Sequence, residues 1–233
     1  MGSEMKKIFS DENLEKPARL DFELFKPVKA EYPCLSPYEE SVFEQLKSHY
    51  RLLGKLFQFC AENNGIYAST LVINGAIVRS LNNYRGALWA LGKGNPHVFF
   101  DCLRSQCETL ALLHYCNLKP EYVKTATIGS RNGTDKNLKI TNILTMVNQL
   151  DKTYSGVCKD YDQLCNLVHP NPASLYASIQ ILDEKERVVA LTTRLPKMTD
   201  EKALLYLVML MTWTKWIFDE TLELAKTFYG NKQ

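Results

Sequence analysis

Steps of three and four between apolar positions dominate this chain, and they predict long helices. Ser36-Pro37-Tyr38-Glu39 has the order of a capping box, with Ser at the N-cap, Pro at N1 and Glu at N3. The helix it opens carries Phe43, Leu46, Tyr50, Leu53, Phe57 and Cys60 as a core stripe, and Asn63-Asn64-Gly65 ends it. A second long helix is predicted from about Tyr67 to Leu91, with Leu71, Ile77, Val78, Leu81, Tyr84, Leu88 and Trp89 apolar. Gly92-Lys93-Gly94 breaks it, and Asn95-Pro96 caps and starts a third that reaches about Cys116. A shorter piece follows Lys119-Pro120-Glu121 and ends near Gly129. Beyond the turn-rich Arg131-to-Asp135 segment, Asn137 to Leu150 is predicted helical, with Ile140, Leu144 and Val147 on one face. Thr153 to His169 forms the next helix, stopped by Pro170 and Pro172.

The period then changes. Leu175, Ala177, Ile179 and Ile181 alternate with other positions, and Arg187 to Thr192 follows a charged turn, a pattern that predicts a β-hairpin over about 174–194. Thr199-Asp200 caps a final helix from about Glu201 to Phe228. Residues 1–35 hold Pro17, Pro27 and Pro33 with no sustained period and read as an extended N-terminal arm. The expected fold class is therefore all-α: an arm over 1–35, then a single helical-bundle domain over 36–233 with one β-hairpin inserted before the C-terminal helix.

Composition narrows the function classes. Of 233 residues, 45% are hydrophobic, enough for a substantial core. The net charge of +2 argues against bulk nucleic-acid binding by a strongly basic surface, while leaving room for a local basic patch. Seven cysteines, an odd number set mostly in helical patterns, read as reduced thiols rather than a disulfide framework. The opening residues are charged and lack the apolar stretch of a leader. The most apolar window, Ala203 to Trp213, is too short to span a bilayer. A cytoplasmic protein with no membrane partner is expected.

Two segments carry candidate chemistry. On the third helix, Phe100, Leu103, Cys107, Leu110 and His114 make the core stripe, while Arg104, Glu108, Ala111 and Tyr115 run along one flank. Arg104 and Glu108, four apart, can pair, and a half-buried pair holds a guanidinium fork where an anion can dock. The ordinary alternative is a structural ion pair at a helix seam. In Leu164-Cys165-Asn166-Leu167-Val168-His169-Pro170, Val157, Tyr161, Leu164 and Val168 form the buried stripe, and the helix runs into a histidine. His169 suits general acid–base or phosphate chemistry, with a helix C-cap as its plainer role. Metal-ligand spacing is poor, and Walker, G-x-G-x-x-G, G-x-S-x-G and H-E-x-x-H motifs are missing, so no metal or other cofactor is expected.

Tyr84-Arg85-Gly86-Ala87-Leu88-Trp89-Ala90-Leu91-Gly92, then Arg104-Ser105-x-x-Glu108, then Tyr161-x-x-Leu164-Cys165-x-x-Val168-His169-Pro170 together resemble a family. It comprises uncharacterised prokaryotic helical proteins with an RS-x-x-E helix and a VHP helix end, themselves similar to the HEPN superfamily (higher eukaryotes and prokaryotes nucleotide-binding). The similarity covers about residues 67 to 225. It implies a HEPN-like helical bundle, often dimeric, and in active members a metal-independent ribonuclease. There an Arg four to six residues before the His steadies the phosphate while the His moves protons. His169 and Asn166 match that pattern. Tyr161 and Leu164 stand near the expected Arg, which leaves Arg104 as the candidate guanidinium.

The resulting expectation is a HEPN-like, RNA-interacting protein of defence or stress, with Arg104, Glu108 and His169 catalytic and Asn166, Tyr161 and Tyr115 binding ligand. The alternatives are a non-catalytic protein-interaction or homodimerisation module, and a small-ligand-binding bundle lined by Tyr115, Tyr161, Trp89 and His169.

Overall fold

The computed structural model of the chain describes residues 11–62, 67–128, 140–168 and 198–229, and the backbone alone of 179–183 and 188–191. Its elements are α1 (Asp11–Phe22), α2 (Phe25–Glu31), a 3₁₀ helix (Pro33–Tyr38), α3 (Glu39–Glu62), α4 (Ala68–Gly92), α5 (Pro96–Leu118), α6 (Tyr122–Ile128), α7 (Ile143–Asp151), α8 (Val157–Val168) and α9 (Asp200–Tyr229). The protein is all-α. Between α8 and α9 the backbone of β1 (Ile179–Asp183) pairs antiparallel with β2 (Val188–Leu191). Residues 184–187, which would form the turn of the expected hairpin, lie outside the described residues.

The expected arm is corrected over 11–35, which is helical and packed. Ala18, Asp21, Phe25, Val28, Tyr32 and Leu35 are all buried. They recur in steps of three and four, straight through the breaks between elements. Pro17 lies inside α1, but Pro27 and Pro33 misled because their positions are tolerant ones. Pro27 sits in the first turn of α2 and Pro33 opens the 3₁₀ helix, where backbone N–H groups lack intrahelical partners anyway. Asp21 then ties α1 inward, accepting from Tyr50 Oη at 2.6 Å on α3 and meeting Arg85 Nε at 3.0 Å on α4.

Two further boundaries shift. Ser36, Pro37 and Tyr38 of the predicted capping box belong to the 3₁₀ helix, and the α-helix begins at Glu39. The buried face of α3 comprises Val42, Leu46, His49 and Leu56, about one residue round from the predicted stripe, so Phe57 is exposed. α7 starts at Ile143, capped by Asn142 Oδ1 accepting from the Leu144 N–H at 2.9 Å, and Ile140 and Leu144 are exposed.

α5 lies at the centre, packed against α4, α9, α7 and α8. Its start is the predicted one: Asn95 Oδ1 accepts from the Val98 N–H at 3.3 Å and Pro96 is N1. Its stripe of Phe100, Leu103, Cys107, Leu110 and His114 is buried as expected, but so are Gln106, Thr109 and Ala111 on other faces. A helix buried nearly all round must find partners for its polar side chains inside the protein. That requirement builds both polar clusters described below.

Candidate functional site

The seam between α4, α5 and α8 gathers charge around one carboxylate. Glu108 on α5 faces Arg104, one turn earlier, with Arg104 Nε 3.2 Å from its Oε1. Arg79 on α4 places Nη2 2.9 Å from Glu108 Oε2 and donates from Nε to Ser105 Oγ at 3.0 Å. From α8, Tyr161 Oη donates to Glu108 Oε1 at 3.2 Å and also meets the Arg104 guanidinium. Arg104 and Glu108 side chains are 23% and 18% exposed, so the pair sits at a rim between core and water.

Two electrostatic consequences follow. Burial pushes the Tyr161 phenol above its ordinary pKa, against the Arg104 contact and with the help of the Glu108 charge, so it stays a donor. Burial alone would lower the Arg104 pKa, but Tyr161 and Glu108 outweigh it and raise the value. Arg104 Nε is within ion-pair distance of Glu108 yet makes no hydrogen bond, and is a buried donor without an acceptor. In a low-dielectric rim such a donor favours an added anion.

The seam continues inward as a chain of hydrogen bonds. Asn83 Nδ2 donates to Ser105 Oγ at 3.1 Å and Gln106 Oε1 at 3.4 Å. Gln106 Nε2 donates to Ser80 Oγ at 2.7 Å and Thr214 Oγ1 at 2.8 Å, linking α5 to α4 and α9. Ser80 then meets His49 Nε2 at 3.0 Å. His49 Nδ1 faces the Gln45 carbonyl at 2.9 Å, so Nδ1 carries the proton and Nε2 accepts. Complete burial lowers the pKa of His49 to about 4, against the small raising effect of the Gln45 carbonyl.

Arg104, Glu108 and Tyr161, named from the sequence, thus come together. The other predicted residues divide. Tyr115 is corrected: it lies about 16 Å further along α5 than Arg104 and packs edge-on against Tyr122 of α6, with centroids 4.9 Å apart. Its hydroxyl takes bonds from Thr141 at 3.4 Å and Lys119 at 3.0 Å, which hold the phenol below its ordinary pKa. Asn166 is exposed and about 140° round α8 from Tyr161, away from the seam. Trp89 is exposed on the outer side of α4. His169 lies outside the described residues.

Sequence reasoning missed Arg79, Ser80, Asn83 and Gln106. A signal existed: Arg79, Ser80, Asn82 and Asn83 put four polar side chains within five residues of α4. Beside Arg79 are two hollows of about 290 and 280 Å³. Arg79, Leu112 and Ala126 line both, whereas Tyr115, Tyr161 and Trp89 line neither. Among the described residues no group of three or more His, Cys, Asp or Glu side chains is placed to hold a metal ion, and no helix there is long and apolar enough to cross a membrane.

No family model, curated protein or solved structure matches the chain. The geometry itself defines an all-α protein with a charged, half-buried seam at its central helix.

Proposed function

We propose that this chain is a HEPN-like, RNA-interacting helical protein of defence or stress, with the Arg104 seam taking a backbone phosphate. The observation that carries the reading is Arg104 itself. Its buried Nε lacks an acceptor, and the α8 face against it holds Tyr161 and Cys165. In the sequence His169 follows Cys165 by four residues, as Cys165 follows Tyr161. In this reading His169 takes the proton of a ribose 2′-OH as its oxygen bonds to phosphorus, and a proton is returned to the leaving 5′ oxygen when that P–O bond breaks. Arg104 balances charge on the phosphorane, Glu108 and Tyr161 position Arg104, and no metal takes part.

A specific observation favours a second reading, the non-catalytic interaction module. Glu108 already engages Arg79, Arg104 and Tyr161, which is what a clamp between three helices requires. Exposed Leu205, Val208 and Leu222 on α9 then give a second copy or another protein something apolar to cover. In both readings the β1–β2 pair closes a hairpin ahead of α9.

The test is incubation with total RNA in EDTA, alongside His169→Ala and Arg104→Ala variants, with the melting temperature of each protein measured in parallel. Cleavage by the parent and loss in both variants supports the ribonuclease reading. No cleavage by the parent, with a large fall in melting temperature for Arg104→Ala, supports the clamp.

A further inference from the structure

A second polar cluster lies on another face of α5, away from the seam. His114 is six residues beyond Glu108, about 9 Å along the axis and about 120° round. Its Nδ1 is 2.8 Å from Glu220 Oε1 on α9, and its Nε2 is 3.3 Å from Thr153 Oγ1 in the turn after α7. The three side chains are ordered by depth. Thr153 is exposed, while the side chains of His114 and Glu220 are 7% and 9% exposed.

Each partner is held independently. Glu220 Oε1 also accepts from Tyr154 Oη at 3.1 Å, and its Oε2 accepts from Asn117 Nδ2. Burial pushes the Glu220 carboxyl up, but the bonds from His114, Asn117 and Tyr154 outweigh it and hold the pKa below the ordinary range. The carboxylate is therefore ionised and keeps the imidazole proton on Nδ1, leaving the Nε2 lone pair toward Thr153. Tyr154 fixes the ring, edge-on to His114 at 6.0 Å and stacked on Trp216 at 4.3 Å. The turn is pinned as well. The Thr153 N–H donates to the Leu150 carbonyl at 3.0 Å, and Asp151 Oδ1 accepts from the Gly156 and Cys158 N–H groups at 2.9 Å each. Gly156 has φ +96°, in the left-handed region that suits glycine.

A surface hydroxyl on an oriented imidazole, backed by a buried carboxylate, is the geometry of an activated nucleophile. We propose that Thr153, His114 and Glu220 form an esterase-type site, separate from the Arg104 seam, that accepts acyl groups from small carboxylic esters. The Thr153 proton passes to His114 Nε2 as Oγ1 bonds to the ester carbon, and the carbonyl electron pair moves to its oxygen. Collapse breaks the ester C–O bond, and the imidazolium returns its proton to the departing alcohol. Water, deprotonated by the same nitrogen, then releases the acid and restores the threonine. Thr153 and His114 are the catalytic residues, and Glu220 is a positioning residue.

The probe is p-nitrophenyl acetate with the full chain, followed by acid quench and peptide mass spectrometry. The expected result is nitrophenolate release with one acetyl group on Thr153. Thr153→Val, an exposed change that spares the core, loses both, and Thr153→Ser retains both. His114→Gln slows release about 100-fold. Glu220→Gln lowers kcat with KM unchanged, which a purely structural role would not do. Should His114→Gln unfold, the Thr153 variants still decide. Release no faster than in Thr153→Val with no acetyl on Thr153 overturns the proposal, as does a folded His114→Gln variant reacting at the parent rate.

Discussion

Tyr161 donates its hydroxyl to Glu108 Oε1 across 3.2 Å, while Arg79 grips the other oxygen of that carboxylate at 2.9 Å. One side chain on the central helix thus holds α8 on one side and α4 on the other. A carboxylate in this position is difficult to replace, because removing it strands two guanidinium groups and a phenol at once.

Glu108→Ala is therefore expected to cost about 2 kcal/mol, reduced from the fully buried case because Arg79 is well exposed. Tyr161→Phe removes a single donor and should cost about 1 kcal/mol. The double variant should lose less than the sum, by roughly 1 kcal/mol, since Tyr161 has no carboxylate to bond once Glu108 is gone. Urea denaturation of the four proteins checks this. Strict additivity would mean that the two side chains do not interact.

His49 should make stability depend on pH. Its folded pKa of about 4 lies below the unfolded value of roughly 6.5, so the unfolded chain binds the extra proton first. The contribution is complete above about pH 6.5, falls as pH drops toward 4, and is then fully lost, on the order of 3 kcal/mol. Glu220, whose pKa is lowered, adds its own loss as pH falls from the ordinary carboxylate value downward. Urea midpoints measured from pH 7 to pH 4.5 isolate the histidine, and a flat profile there would rule out its burial in neutral form.

Two helical glycines should respond oppositely to alanine. A Cβ at Gly92 would lie 2.9 Å from Pro27 Cβ and 3.2 Å from the Val28 backbone nitrogen, so α2 would have to move. Gly92→Ala is expected to cost about 1–3 kcal/mol. At Gly75 a Cβ meets nothing within 4 Å, and Gly75→Ala should stabilise by about 0.5–1 kcal/mol through helix propensity. Paired thermal melts would show the two shifts with opposite signs.

Removing residues 1–31 should destabilise the protein severely instead of trimming an arm. Phe25 and Val28 are fully buried, each worth about 1.5–3 kcal/mol of burial, and Asp21 is the acceptor for Tyr50 and Arg85. The truncated chain should melt far below the full one. An unchanged melting temperature would show that α1 and α2 do not pack.

Legibility followed the range of the interaction involved. Helix ends were readable where one side chain meets a backbone group a few residues away, as at Asn95 with Val98 and Thr199 with Lys202. The α5 stripe and the buried Val157, Tyr161 and Leu164 of α8 were readable because they repeat with the helical period. The same period ran through residues 18–35 and was obscured by prolines that stood where helices tolerate them.

The polar clusters were only half legible. Arg104 with Glu108 is a relation within one turn, and the residue spacing contains it. Arg79 with Glu108 spans 29 residues and His114 with Glu220 spans 106. Chain order alone determined the helices, their caps and most of the central stripe, since these depend on local geometry and on one repeating period. Which polar groups meet was decided by packing, because a helix sunk in apolar surroundings must satisfy its donors and acceptors from whichever neighbours the folded chain brings alongside.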